Sequence, residues 1–339
     1  MLLEDFNFTL PAFLIAQRPL AKRNGSRLLV LNKKTGTIAH RIFSDLPGLL
    51  NPNDLIVFND TKVMPARLHL HRRTGGKIEI IVERILNEQT ILAQAKKYKK
   101  LIIGEQLALA DGNYFEVIAL EEGLAELRLN DDISVMNALR RFGQVPLPPY
   151  IKRAAEVDDR DSYQTIYAKK LGAIAAPTAG LHFDQELLDR LRERGMNTAF
   201  ITLHVGLGTF KPMRTHNIVE HKMHAEYVEV SAEVCAAVDN ARKLGGRVVV
   251  VGTTTLRALE SASLNGQLQP YRGETSIFIH GNYNFLSSDV LITNFHLPKT
   301  TLLILVCSFG GYGNVMRAYG EAIQSGYRFY SYGDAMMLG

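Results

Sequence analysis

The stretch from Ala175 to Met213, AAPTAGLHFDQELLDRLRERGMNTAFITLHVGLGTFKPM, reads as loop, helix, strand and glycine loop, and that succession decides the fold class. Asp184 is placed to cap the first turn, Phe183 and Leu188 occupy the two positions of a hydrophobic staple, and Gly195 ends the helix after Arg190, Arg192 and Arg194. The expected helix therefore spans about Gln185 to Arg194. From Thr198 the chain alternates, with Ala199, Ile201, Leu203 and Val205 on one face and Phe200, Thr202 and His204 on the other. The apolar face goes to the core, and His204 points away from it. Gly206 and Gly208 then free the backbone to turn and to approach a ligand, with Thr209 adding a hydroxyl and Phe210 a ring.

Working outward on the N-terminal side, Ser26 to Asn32 and Thr37 to Phe43 flank a Gly-containing turn, which is a hairpin signal. Asp54 to Phe58 reads as a strand delivering the polar cluster Asn59-Asp60-Thr61-Lys62. From Arg67 to about Asn130 the texture changes to roughly six short alternating segments, spaced by about 8 to 12 residues and separated by glycine turns, which suggests a small closed barrel. Its tip carries Lys96, Lys97, Lys99 and Lys100 around Tyr98, readable either as a solvated loop or as a phosphate-contacting patch. Asp132 to Phe142 reads as a helix with Asp132 as cap and Gly143 as stop, followed by a stiff, extended connector from Val145 to Arg153.

On the C-terminal side, strands and helices alternate. Glu226 to Val230 and Arg247 to Val251 read as strands, with a helix from about Ala232 to Leu244 between them. The second strand, rich in valine, runs into Gly252-Thr253-Thr254-Thr255 and a helix bearing Arg257, a pattern that can hold an anion or be ordinary threonine capping. Val290 to His296 reads as a last strand with Asn294 and His296 on one face. The apolar run Leu302 to Val306 reads as a buried strand or helix start, far short of a membrane span. The fold expected is an α/β main domain, an open, barrel-like mixed sheet with helices, formed by residues 1–66 and 145–339. A small all-β barrel domain, residues 67–144, is inserted into it.

Composition narrows the class of function. With 46% hydrophobic residues over 339 positions the chain is globular, and 39 Lys+Arg against 34 Asp+Glu give a net +5 that permits a polyanionic partner without requiring one. Two cysteines, Cys235 and Cys307, are too few for a disulfide framework and point to a reducing compartment. No signal peptide is visible, so a cytoplasmic protein without a membrane is expected. His221 and His224, with Glu220 and Glu226 nearby, have no further Cys/His pair to complete a zinc set, so no metal is expected and a polar substrate suits them better. Four polar strand ends in one α/β sheet carry more weight than any single histidine, because ligands in such sheets bind beyond the carboxyl ends of strands.

These motifs together resemble the S-adenosylmethionine:tRNA ribosyltransferase-isomerases of queuosine biosynthesis. The resemblance rests on Asn59 to Arg67, Val145 to Ile151, Tyr163-Gln164-Thr165 with Tyr167-Ala168, and Ala175 to Phe183. It continues through Thr202 to Phe210, Glu220-His221 with Met223-His224, Gly252-Thr253-Thr254, Thr293 to Pro298 and Tyr327 to Met336. Departures are mild: Thr255-Leu256, Ala258 and Cys307-Ser308 stand where the family often has other small or hydroxylated residues. The resemblance implies transfer and isomerisation of the ribosyl part of S-adenosylmethionine onto 7-aminomethyl-7-deazaguanine at the tRNA wobble position, giving epoxyqueuosine-tRNA, adenine and methionine. It also implies an α/β domain with a second β-barrel domain. S-adenosylmethionine is then a consumed co-substrate and no cofactor is implied.

Such a reaction needs a proton acceptor matched to neutral pH, a donor for departing adenine and a cavity that keeps water out. Histidine has the suitable ordinary pKa, so His204 is expected as the base, His182 as its neighbour or as donor to adenine, and Asp60 as the group holding the substrate amine. Thr253, Thr254 and Arg257 suit the methionine carboxylate, and Phe183 and Phe210 suit stacking. Thr61, Arg67, Thr178, Gly206, Gly208, Thr209, His221, His224, Asn294 and His296 complete the expected substrate-binding set, and Lys96, Lys97, Lys99, Lys100, Lys152 and Arg153 the tRNA-binding set. A monomer is expected. The rival readings are an S-adenosylmethionine-dependent RNA methyltransferase and a non-catalytic RNA-binding protein; the strand-end glycines lack the G-x-G-x-x-G pattern with its later acidic residue.

Overall fold

The computed structural model describes residues 1–210, 213 and 215–339, except for the side chain of Phe210. The first strands are β1 (Arg27–Leu31), β2 (Ile38–Ile42), β3 (Leu55–Asn59) and β4 (Thr61–Val63), with β1 and β2 antiparallel as the hairpin signal requires. Six more follow: β5 (Arg67–Arg72), β6 (Lys77–Ile85), β7 (Thr90–Ala95), β8 (Gln106–Ala108), β9 (Tyr114–Glu121) and β10 (Leu124–Leu129). They close into an antiparallel barrel in the order β10-β7-β6-β5-β8-β9, which leaves no open edge. Alternation fills its interior with Leu68, Leu70, Ile80, Val82, Phe115, Val117 and Leu127.

The remaining strands are β11 (Lys170–Ala173), β12 (Asn197–Leu203), β13 (Glu226–Val230), β14 (Val248–Val251), β15 (Tyr271–Thr275), β16 (Val290–Asn294) and β17 (Ala335–Leu338). The helices are α1 (Leu46–Leu49), α2 (Val135–Phe142), α3 (Asp159–Ser162), α4 (Gln185–Glu193), α5 (Ala232–Lys243), α6 (Thr253–Ser261), α7 (Thr301–Gly310) and α8 (Tyr312–Gln324). Nine strands form one mixed sheet ordered β15-β13-β12-β3-β14-β16-β17-β1-β2, and β11 pairs separately with β4. The sheet is buried on both faces. Val248 and Val250 face a layer built from α5, α6, α7 and α8, while Val249 and Val251 face α4 and α1 with Phe43 and Phe183. A run of four valines is what a strand covered on both sides requires.

The helix over Gln185–Glu193 forms as read, with the Asp184 carboxylate accepting the Leu187 amide at 2.9 Å. Two readings need correction. The helix after the barrel starts at Val135 with Ser134 as its cap, because the Asp132 carboxylate is taken up by Asn130. The strand from Val290 stops at Asn294, so His296 lies beyond it. Of the two readings of Leu302 to Val306, a buried strand or a helix start, the second holds: the run opens α7, capped by Thr300 and buried nearly all round. None of the described helices is long and apolar enough to cross a membrane.

Candidate active site

β12, β3, β14 and β16 are consecutive in the sheet and mutually parallel, so their carboxyl ends lie side by side. Asn59 stands opposite Ile201, and Val251 opposite Ile292. The next residues of each strand are the polar ones picked out in the sequence. This is where an α/β sheet binds its ligands.

Asn59 is the hub of this edge. Its Nδ2 donates to the Leu203 carbonyl at 2.9 Å and to Thr254 Oγ1 at 3.3 Å, while its Oδ1 accepts the amides of Leu203 at 3.0 Å and Thr61 at 3.1 Å. Thr202 donates to Asp60 Oδ1 at 2.6 Å, and Asp60 is buried. Thr61 Oγ1 lies 2.8 Å from His204 Nδ1. A single network thus ties Asp60, Thr61, Thr202, His204 and Thr254 to the ends of three strands.

His204 lies in this network with one nitrogen uncommitted. Its ring runs nearly parallel to that of Tyr227, 5.4 Å away at 20°. In the tautomer whose Nδ1–H donates to Thr61 Oγ1, the lone pair belongs to Nε2. Gly172 packs against the face of the ring, where a Cβ would fall 2.6 Å from Nε2 and 2.7 Å from Cδ2 and Cε1, so only a residue without a side chain lets the ring lie there. His204, Gly172, Gly206, Gly208 and Tyr227 line one cavity of about 570 Å³. Burial holds the His204 pKa below the ordinary histidine value, against an opposing pull from the Asp60 carboxylate. A neutral imidazole with a free lone pair beside a cavity can accept a proton.

His182 is different in kind. Asn294 Nδ2 lies 3.1 Å from its Nε2 and Ser26 Oγ 2.7 Å from its Nδ1, so neither nitrogen is free. An amide NH2 only donates, which fixes the proton on Nδ1. Phe43 stacks on the ring at 4.8 Å and 26°. Burial, with Arg328 and Arg23 nearby, pushes its pKa down to about 3. His182 shares neither a hydrogen bond nor a lining cavity with His204 among the described residues. Phe183 beside it is fully buried, edge-on to Phe43 and Phe58, and has no face for a ligand.

His296 is also brought down to about 3 by burial, with Nε2 3.0 Å from Thr293 Oγ1. It lines a narrow cavity with Thr178, Thr209, Asn294 and Tyr150, in which Thr178 donates to Asn294 Oδ1 at 2.9 Å. Gly206 and Gly208 wall the His204 cavity and Thr209 walls this one, so the glycine loop is the partition between them.

Behind that loop lies a buried ion pair not apparent in the sequence. Arg257 Nη1 donates to Glu226 Oε2, and Glu226 Oε1 accepts the Gly206 amide at 3.0 Å. Arg257 also donates to the Ile277 carbonyl at 3.3 Å, and its Nη2 is buried without a partner among the described residues. A carboxylate of the protein therefore already holds the guanidinium expected to hold the substrate's. Thr253 is buried in the first turn of α6, beyond Gly252 at φ 92°.

Arg67, expected among the substrate-binding residues, is paired with Glu79 and donates to the Leu147 carbonyl at 3.0 Å. The expected tRNA set divides: Arg153 makes a two-pronged bond to Asp159 at 2.6 and 2.7 Å. Both guanidiniums are engaged within the protein. Lys97, Lys99, Lys100 and Lys152 are exposed, as is Lys96, whose Nζ lies 3.8 Å from Glu79. Tyr98 packs on the barrel core rather than standing free. His221 and His224 line a cavity of about 760 Å³ with Lys99, Gly208 and Thr209. Among the described residues no cluster of His, Cys, Asp and Glu could hold a metal ion. The side chain of Phe210 lies outside the described residues.

Asn59, Gly172 and Glu226 are the groups missing from the expected site. The signal for Asn59 was its place at a strand end; for Glu226 and Gly172 only the fold supplies it.

Comparison with known proteins places this edge in context. Residues 3–338 match the family described as queuosine biosynthesis protein. The chain is 50% identical over 334 residues to the S-adenosylmethionine:tRNA ribosyltransferase-isomerase of Coxiella burnetii strain Dugway 5J108-111, covering 98% of this chain and 97% of that protein. The enzyme of the same name from strain RSA 331 is 49% identical over the same shares. The crystal structure of S-adenosylmethionine tRNA ribosyltransferase from Thermotoga maritima is similar with a TM-score of 0.58 and 34% identity, covering 99% of this chain and 100% of that one. The fold, the barrel and the whole length agree: this chain belongs to the queuosine biosynthesis protein family.

Proposed function

We propose that the chain is an S-adenosylmethionine:tRNA ribosyltransferase-isomerase, transferring and isomerising the ribosyl part of S-adenosylmethionine onto 7-aminomethyl-7-deazaguanine at the tRNA wobble position. The observation that carries the reading at this site is His204 Nε2, without a hydrogen-bond partner among the described residues at the edge where four parallel strands end. The sulfonium acidifies the ribose carbon bonded to it, and His204 takes that proton. The sugar opens and adenine leaves, the aminomethyl nitrogen adds, and closure of the carbon ring expels methionine and leaves the epoxide. Thr61 holds the His204 tautomer, and Asp60 holds the substrate amine.

The donor lies where the loops after Leu203, Val251 and Phe295 meet, with Thr178, Thr253, Thr254, Asn294 and His296 around it. Its carboxylate meets Arg257 Nη2, which has no protein partner among the described residues. Residues 67–144 act as a barrel unit set into the catalytic domain of residues 1–66 and 145–339, and its lysines meet tRNA. The enzyme works as a cytoplasmic monomer, since one chain supplies every group named here, and uses no cofactor besides the consumed donor.

The test is product identity. Incubation with S-adenosylmethionine and tRNA bearing the aminomethyl base should release adenine and methionine. S-adenosylhomocysteine would instead mark a methyltransferase, and no small product an RNA-binding protein.

A further inference from the structure

The base that reacts belongs to a folded tRNA, whereas His204 lines a cavity inside the protein. Enzymes that do chemistry on a base take the nucleotide out of its stack into a pocket. The wobble nucleotide therefore needs a passage wide enough for a nucleoside and open toward a surface suited to phosphates.

One passage meets this description. The His204 cavity, of about 570 Å³, and the neighbouring one, of about 760 Å³, share Leu124, Gly208, His224 and Glu226 as walls. Both are bounded on one side by the barrel and on the other by the end of the main sheet. Each is of a size that holds a small organic ligand. Lys99 lines the outer cavity, and the exposed Lys96, Lys97 and Lys100 stand beside it on the same barrel turn. Phosphates are drawn to such a cluster. The inner end presents the near-parallel rings of Tyr227 and His204, flat surfaces of the kind on which bases stack.

We propose that the cleft between barrel and sheet is the channel for the extruded wobble nucleotide. Its phosphates lie on the lysine turn, and its base passes Leu124 and the Gly206–Thr209 loop to reach His204. The barrel is then one wall of the tRNA channel as well as a docking surface. This inference rests on the function proposed above.

Leu124→Trp, at a partly exposed position on the cleft wall, narrows the channel, and Lys99→Glu reverses charge at its mouth on an exposed residue that does not endanger folding. Affinity for tRNA and for S-adenosylmethionine is measured separately on each, beside the wild-type protein. Leu124→Trp should weaken tRNA binding about tenfold or more, the scale of one lost stacked base. Lys99→Glu should weaken it too and lower the salt slope by about 0.7 or more, as for a single-strand phosphate contact. Donor affinity should stay within about twofold of wild type in Lys99→Glu, at the far mouth of the cleft. Loss of donor affinity in Lys99→Glu, or unchanged tRNA affinity in both variants, overturns the channel. If the wild-type protein itself releases no adenine in the presence of donor and tRNA, the failure lies in the proposed function and not in the channel.

Discussion

His204 and His182 lie at the same edge of the sheet, each beside a glycine-containing loop, and only their surroundings set them apart. His204 has one nitrogen on Thr61 and the other without a hydrogen bond among the described residues, and its ring lines a cavity; His182 has both nitrogens bonded and a phenyl ring over its face. The first is held in orientation while keeping a lone pair. The second is a neutral strut tying Ser26, at the start of β1, to Asn294, at the end of β16. The sequence motifs do not separate these roles, because each depends on which side chains arrive from distant segments.

If that contrast is right, removing each ring should fail in a different way. His204→Ala should slow single-turnover adenine release by ~10²- to 10⁴-fold while leaving donor affinity and folding near normal. His182→Ala should instead lower stability in denaturant titrations by about 3 kcal/mol, from a lost buried ring and two unsatisfied partners, and leave turnover per folded molecule within a few fold. A His182→Ala protein that folds normally and has lost turnover would break the comparison. Gly172→Ala sharpens it, since a methyl group against Nε2 must displace a ring held by Thr61 and Tyr227. Per folded molecule, adenine release should fall roughly tenfold to a hundredfold, beside a loss of stability from placing a side chain at φ 159°.

Burial of these rings also sets a pH dependence of stability. His182 and His296 are both brought from the ordinary 6.5 to about 3 by burial, so the unfolded chain takes up protons that the native state refuses. Stability is complete above pH 6.5 and falls as the pH drops from there toward 3, by up to ~1.4 kcal/mol per pH unit for each histidine. Thermal or denaturant unfolding of His182→Ala should show a shallower fall over that window by about one proton. An unchanged slope would mean that His182 is not buried neutral.

Much of this molecule was readable in the sequence where the information is local. Period-two alternation gave the barrel strands and β12, the Asp184 cap gave the start of α4, and the run of valines gave a strand covered on both sides. The four polar strand ends were visible one by one, and their adjacency followed once the parallel order was known. What was not readable is long-range. Nothing in Ala335 to Leu338 announces a strand that inserts between β16 and β1, and the Glu226–Arg257 pair joins residues on two elements whose packing the sequence leaves open. Arg153 was read as a free cation although its partner Asp159 lies close by in sequence, because a carboxylate beside an arginine does not reveal a two-pronged bond. Phe183 was given both a staple and a stacking role, and burial leaves only the first.

The claim that His204 Nε2 removes the proton beside the sulfonium is tested most directly by following that hydrogen. S-adenosylmethionine tritiated at the ribose carbon bonded to sulfur is mixed with enzyme and aminomethyl-base tRNA, and tritium release to water is measured in one turnover. The account predicts release with the wild-type protein and with folded His182→Ala, and its loss with His204→Ala. Tritium release by His204→Ala at a rate near wild type would contradict it.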